Sequence, residues 1–343
     1  MSVTATDIAD LVIGVQRDLG RNKFQNIAQT LQHYEVFSKW FKKDKVAFDS
    51  GIGISRTLLN KVATAASHVG LLETLQVNIE DVLDQLTLNW RHARTHWALV
   101  YQTDILMNAG TSRIVSTVKA RRAAAMLDMV EELETYGWSA PAVGDKVLPH
   151  GLPYWIVKNS TTGFTGGLSG SHTDVAGVSL TDSPNFKNYS AAYVNVTKGD
   201  MIKKARTAHR SCRFRSPISI QDFRGTTGER YRVYVNEATL SNIEDVGEGQ
   251  NESLGRDIAS MDGVMTFRRH PIIWVPELDS DTSNPFYMVD HTTFMPVCLK
   301  GDYLRETEAR VAPNQDNVFY STLWLTYNYL CVDRRRNAVL YVA

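Results

Sequence analysis

The sequence is poor in the devices on which small secreted proteins and metal-bound domains rely. Its three cysteines, Cys212, Cys298 and Cys331, lie far apart with no CxxC pair, which excludes a disulfide framework and a zinc knuckle. No apolar run approaches the roughly 18 residues that a membrane-spanning helix needs. The opening, MSVTATDIADLVIGVQRDLG, lacks the basic-then-apolar order of a secretion signal. The expectation is a chain that works in a reducing, intracellular setting with no membrane partner. Net charge is also missing: 37 Lys and Arg face 37 Asp and Glu over 343 residues. A molecule-wide basic surface for gripping nucleic acid is therefore excluded, because phosphate binding draws its affinity from uncompensated cations.

Catalytic and ligand-binding signatures are equally scarce. His92 and His96 would converge on a metal only if their segment were helical. The alternating pattern around them predicts a strand, in which they stand about 13 Å apart. "GFTGGLSGSH" has glycines but neither the Gly-Lys-Ser/Thr ending of a phosphate cradle nor the G-x-S-x-G of a nucleophile elbow. It is expected to be an exposed surface loop. No catalytic residue, cofactor site or metal site is predicted.

What is present is a series of long elements. Residues 1–47 form an amphipathic arm in which Ile8, Leu11, Val12, Val15 and Leu19 recur at helical spacing. "YEVFSKWFKKDKVAF" comes next, and Arg17 to Lys45 holds seven Lys/Arg against three Asp/Glu. Lys39, Lys42 and Lys43 are the candidates for facing nucleic acid on an inner surface. "LTLNWRHARTHWALV" alternates as one strand with large polar or aromatic groups on both faces, so it reads as an excursion that meets other surfaces. Residues 111–137 predict one uninterrupted helix, with Ser112 as N-cap, Gly137 as C-cap and a stripe of Val115, Val118, Ala125, Met126, Met129 and Leu133. Strand and helix signals then alternate, which is an α+β pattern. The ending parses as a strand over 318–332, a connector "DRRRN" with Asn337 in left-handed geometry, and a return strand over 338–342 paired with the first. That reading puts Arg334, Arg335 and Arg336 at the tip of a hairpin. Such elements bury little within one chain and imply burial against copies of it.

The order of elements resembles the major capsid protein of tailed bacteriophages, the Hong Kong 97 fold. The resemblance is carried by "WRHARTHWALV", "VKARRAAAML", "FYMVDHTTFMPV" and "APNQDNVFYSTLWLTYNYLCVDRRRNAVLYV". It implies an N-terminal arm (1–47), an extended β-hairpin loop (48–101), a peripheral domain with its long spine helix (102–149), an axial domain (150–297) and terminal β-strands returning to the peripheral domain (298–343). It further implies self-assembly into hexamers and pentamers of an icosahedral shell around packaged double-stranded DNA, in a virion capsid assembled in the host cytoplasm. Portal protein, a decoration or cement protein and weakly held DNA are the implied partners. No cleaved scaffolding segment of the family's kind fits ahead of the spine, so a separate scaffolding protein is expected. Trp90, Arg91, Arg94, Trp97 and Arg334 to Arg336 are the expected inter-subunit contacts. The family's Lys–Asn cross-link is not expected: Lys61 and Asn337 are present, but residues 334–343 contain no carboxylate. A bacterial nanocompartment of encapsulin type would share the shell geometry, and an α+β hydrolase around His92 and His96 is the enzymatic alternative.

Overall fold

A computed structural model describes residues 34–41, 46–60, 68, 81–106, 111–212, 231–248, 265–268 and 270–343. Its longest helix among the described residues is α1, Thr111–Gly137, about 40 Å of rod at 1.5 Å per residue. This is the span its sequence pattern predicts. The buried stripe runs through Val118, Ala125, Met129 and Leu133, whereas Met126 faces solvent. Gly137 is not left-handed. Its missing side chain instead admits the helical turn Val36–Trp40, because a Cβ there would stand 2.7 Å from a Val36 methyl.

Among the described residues fifteen strands form three sheets. β1 (Ala47–Asp49), β4 (Arg91–Val100), β11 (Phe294–Leu299), β12 (Arg305–Glu306), β13 (Arg310–Ala312) and β14 (Gln315–Cys331) make a six-stranded sheet centred on β14. β14 spans 17 residues, about 55 Å when extended. β2 (Gly53–Leu59) and β3 (Leu83–Asn89) form a two-stranded hairpin. A seven-stranded sheet runs in the order β5 (Gly163–Gly166), β6 (Asn188–Tyr193), β15 (Ala338–Val342), β10 (Phe286–Asp290), β7 (Tyr231–Val235), β9 (His270–Trp274) and β8 (Thr266–Phe267). Two further helices, α2 (Met201–Cys212) and α3 (Glu237–Glu248), accompany this sheet. None of the helices among the described residues is long and apolar enough to cross a membrane.

The cores arise from strand alternation. In β10, Phe286 and Met288 enter one buried cluster with α2 and α3. Tyr287 and Val289 point the other way, into a larger cluster shared with β14, α1 and the 34–41 segment. Successive side chains on a strand face opposite sides, so one strand serves both cores. β15 does the same, with Ala338 and Leu340 on one side and Val339 on the other.

Two sequence expectations are corrected here. The stretch 83–100 is two strands. Leu86 and Leu88 are buried before Trp90, and Arg91, Thr95, Trp97 and Leu99 after it. The inward parity thus changes from even to odd at the break, as a one-residue register shift requires. Beyond the break β4 is no excursion, since it pairs with β14 from Arg91 to Val100 and packs on α1. Second, β15 does not pair with β14. It lies between β10 and β6 in the other sheet, and the arginine connector carries the chain from one sheet to the other.

Candidate functional site

Four of the expected contact residues stand on β4 or at its start. Arg91 is 7 % exposed, and its guanidinium donates to the carbonyls of Asp145 (2.9 Å), Lys146 (2.7 Å) and Leu148 (2.9 Å). It pins the 145–148 loop inside its own subunit. Trp97 is also buried, with its indole N–H donating to Glu306 Oε1 at 3.1 Å. Arg122 on α1 grips the same carboxylate through bonds of 3.0 and 2.9 Å. Trp90 is half-buried and donates to the Gly51 carbonyl. Only Arg94 keeps an exposed position, stacked 5.4 Å over Trp324. Alternation explains the split, since Arg91 and Trp97 share the inward face with Thr95, while Arg94 lies outward with His92 and His96.

The connector between the sheets holds the second set. Arg334 is fully buried. Its Nε donates to Trp155 O (2.7 Å) and its Nη1 to Phe186 O (3.0 Å). Nη2 reaches Gly167 O (2.7 Å), Asn188 Oδ1 (3.2 Å) and Gly166 O (3.3 Å). The ring of Phe186 lies 5.7 Å from the guanidinium carbon. These hydrogen-bond acceptors are neutral, and burial lowers the Arg334 pKa to about 10. The rigid fork of five donors on one guanidinium explains why arginine can tie three separate loops together. Arg334 is therefore an internal clamp, and its predicted place on an exposed hairpin tip is corrected.

Its neighbours also turn inward. Arg335 lies 5.5 Å over Phe164, and Arg336 pairs with Asp290 of its own chain at 3.2 Å. Asn337 has an extended backbone, φ −111°, contrary to the left-handed expectation. Its side chain accepts from Asp290 N at 2.8 Å and donates to Thr293 Oγ1 (3.3 Å) and Asp333 O (3.2 Å). Asp290 to Thr293 and Asp333 to Asn337 are two short, direct crossings between the sheets, so Asn337 holds one to the other.

The "GFTGGLSGSH" stretch lies against this clamp. Gly163–Gly166 is strand β5, Gly166 and Gly167 present carbonyls to Arg334, and Leu168 packs on the main core. His172 bonds the Pro141 carbonyl at 3.1 Å and sits edge-on to Tyr154. This loop is anchored in its subunit, where an exposed loop is expected.

The third grouping surrounds residues 34–41. Trp40 is completely buried among Trp138, Phe294 and Tyr329, with ring centroids 5.0, 5.1 and 5.7 Å away. Its indole donates to Tyr234 Oη at 2.9 Å, which in turn bonds His291 Nε2 at 2.7 Å. Glu134 on α1 accepts from Val36 N (2.8 Å) and from Trp138 Nε1 (2.9 Å). Burial raises the Glu134 pKa to about 7, those two bonds oppose the rise, and the nearby Glu35 carboxylate adds to it. Arg232 pairs with Glu35 at 2.5 Å. The end of the expected arm is thus part of the core. Lys39 is half-buried on its turn, and Lys42 and Lys43 lie outside the described residues.

A cleft of about 240 Å³ opens between β4 and α1, lined by Arg94, Thr95, Asp128, Glu132, Tyr136 and Tyr327 among others. Asp128 is bonded to Thr95 Oγ1 at 2.9 Å. Among the described residues no group of three or more His, Cys, Asp or Glu could hold a metal.

No protein-family profile and no curated protein matches the sequence. Solved structures do match over nearly the full length. The capsid of cyanophage A-1(L) is similar with a TM-score of 0.67 at 11 % identity, covering 94 % of this chain and 96 % of that one. The capsid of the native GTA particle gives 0.54 at 8 % identity, covering 94 % of each. The capsid of Myoviridae phage XM1 gives 0.53 at 9 %, over 95 % and 98 %. The α+β architecture expected from the sequence is thus matched over 94–95 % of the chain, and the chain has the fold of phage capsid proteins.

Proposed function

We propose that this chain is the major capsid protein of a tailed phage, a structural subunit that builds the icosahedral shell. The observation that carries the reading is agreement with phage capsid folds over 94–95 % of the chain despite identities near 10 %. In this reading the six-stranded sheet with α1 is the peripheral domain, the seven-stranded sheet with α2 and α3 is the axial domain, and β2–β3 belongs to the extended loop. A two-stranded ribbon is marginal alone in water. β2–β3 is propped along its length by the 176–183 segment, where Thr87 N donates to Ala176 O at 2.8 Å and Ser183 Oγ to Asp84 at 2.9 Å. Its last described pair, Leu59 and Leu83, is exposed, which supports burial against a neighbouring copy.

Copies form hexamers and pentamers and enclose double-stranded DNA, aided by a separate scaffolding protein, a portal and, in some shells, a decoration protein. Zero net charge suits a wall that contains DNA without gripping it, because each strong cation–phosphate contact would oppose packaging and release. The chain has no catalytic task. Expression of the chain with its neighbouring phage genes, followed by sedimentation and electron microscopy, tests this. Shells containing nuclease-protected DNA are expected. Shells loaded with an enzyme cargo would favour a nanocompartment, and a stable monomer that never assembles would overturn the reading.

A further inference from the structure

One face of the seven-stranded sheet is covered by α2 and α3, which bury Met201, Ala205, Ala208 and Ile243 in a common layer. α2 packs on β6 and β15, and α3 on β9. β15 and β9 are three strands apart in the sheet order, about 15 Å at the usual spacing. The helices thus lie toward opposite ends of one layer.

Their outer faces carry opposite charge. On α2, Lys203, Arg206 and Arg210 recur at i, i+3 and i+7 and form one stripe. Lys203 and Arg210 are exposed and Arg206 is half-buried. From Lys187 to Cys212 there are six Lys or Arg against the single acid Asp200, and Asp200 is already taken by Lys204 at 2.6 Å. On α3, Glu237, Glu244 and Asp245 are exposed. No Lys or Arg occurs in residues 233–248 or 270–299. None of these six stripe residues has an ion-pair partner among the described residues.

We propose that the basic stripe of α2 on one copy docks against the acidic stripe of α3 on the next, a head-to-tail contact between copies of this chain. Such a heterologous contact, repeated with one rotation, closes a ring. The opposite stripes favour head-to-tail over head-to-head pairing, since a head-to-head contact would place like charges together. The inference rests on the capsid reading and adds the surface and polarity of the contact within a capsomer.

Charge reversal tests it. One variant carries Lys203→Glu, Arg206→Glu and Arg210→Glu, a second carries Glu237→Lys, Glu244→Lys and Asp245→Lys, and a third combines all six. Shell and capsomer yield are read by sedimentation, with circular dichroism as the folding control. Each three-residue variant is expected to lose about tenfold in yield, and the six-residue variant to recover it. A gentler variant, Glu244→Gln with Asp245→Asn, guards against misfolding, and its assembly rate is expected to depend less on salt than that of the wild type. Three-residue variants that assemble like the wild type, or a six-residue variant that folds without recovering yield, would overturn the pairing. A wild-type chain that forms neither capsomers nor shells would instead overturn the capsid reading beneath it.

Discussion

Arg334 and Glu134 carry the residue-scale consequences. Replacing Arg334 by methionine leaves the carbonyls of Trp155, Phe186, Gly166 and Gly167 without their donor, a loss of about 3 to 5 kcal/mol. Arg335→Ala, which removes a stacking contact over Phe164, should cost about 1 kcal/mol or less. Urea unfolding of the two variants checks the ranking. Lysine should not rescue Arg334, because one ammonium cannot span three loops. Glu134 sets a pH dependence. Its pKa of about 7 in the fold lies above the ordinary 4.5, so the folded chain keeps a proton that the unfolded chain releases between those values. This contribution is complete below pH 4.5 and is lost as pH rises to 7, by about 3 kcal/mol. Denaturation midpoints of wild type and Glu134→Gln at pH 5 and pH 7.5 should therefore differ in their pH response, with the variant flatter through this window. Neither role is legible in the sequence. A run of three arginines looks solvated until it is seen that apolar residues flank it closely on both sides, in "YLCV" and "AVLYV". Glu134 sits in an acidic helical stretch whose sequence does not reveal that residues 34–41 lie against it.

At the scale of elements, local periodicity is enough for α1, α2 and most of β14. It fails where the partner of a strand has to be known. β14 and β15 are neighbours in sequence with a short connector, the usual mark of a hairpin, yet each pairs in a different sheet. Long-range pairing and the two buried crossings override the local signal. The face change at Trp90 is hidden for a similar reason, since a register break leaves the residue types alternating on either side of it. Gly151 shows how tightly the end of α1 is joined to the turn at residues 151–155. A Cβ there would lie 2.2 to 2.7 Å from the carbonyl oxygens of Ser139, Tyr136 and Gly137, all of them backbone. Gly151→Ala should cost about 3 kcal/mol or more, because backbone cannot move aside as a side chain can. Gly199→Ala, where a Cβ meets nothing within 4 Å, is the matched control. Thermal unfolding of the two variants measures the difference.

For the whole molecule, the fold class and capsid-like architecture are legible from element order and from the last 60 residues. The contact surfaces are not, because exposure in a single chain depends on which face each side chain takes. Most of the arginines and tryptophans that the sequence assigns to neighbours are used within the subunit, whereas Arg94, Leu59 and Leu83 on β2–β3 and most of the stripe residues on α2 and α3 are exposed in the single chain, and the stripes are the surfaces proposed to meet other copies. The central claim is that copies of this chain build a closed shell. The most direct measurement is electron cryomicroscopy of particles assembled from the purified chain and its scaffold. The account predicts icosahedral shells whose five- and six-membered rings place the seven-stranded sheets at their centres. Open aggregates, or a discrete small oligomer with no icosahedral symmetry, would contradict it.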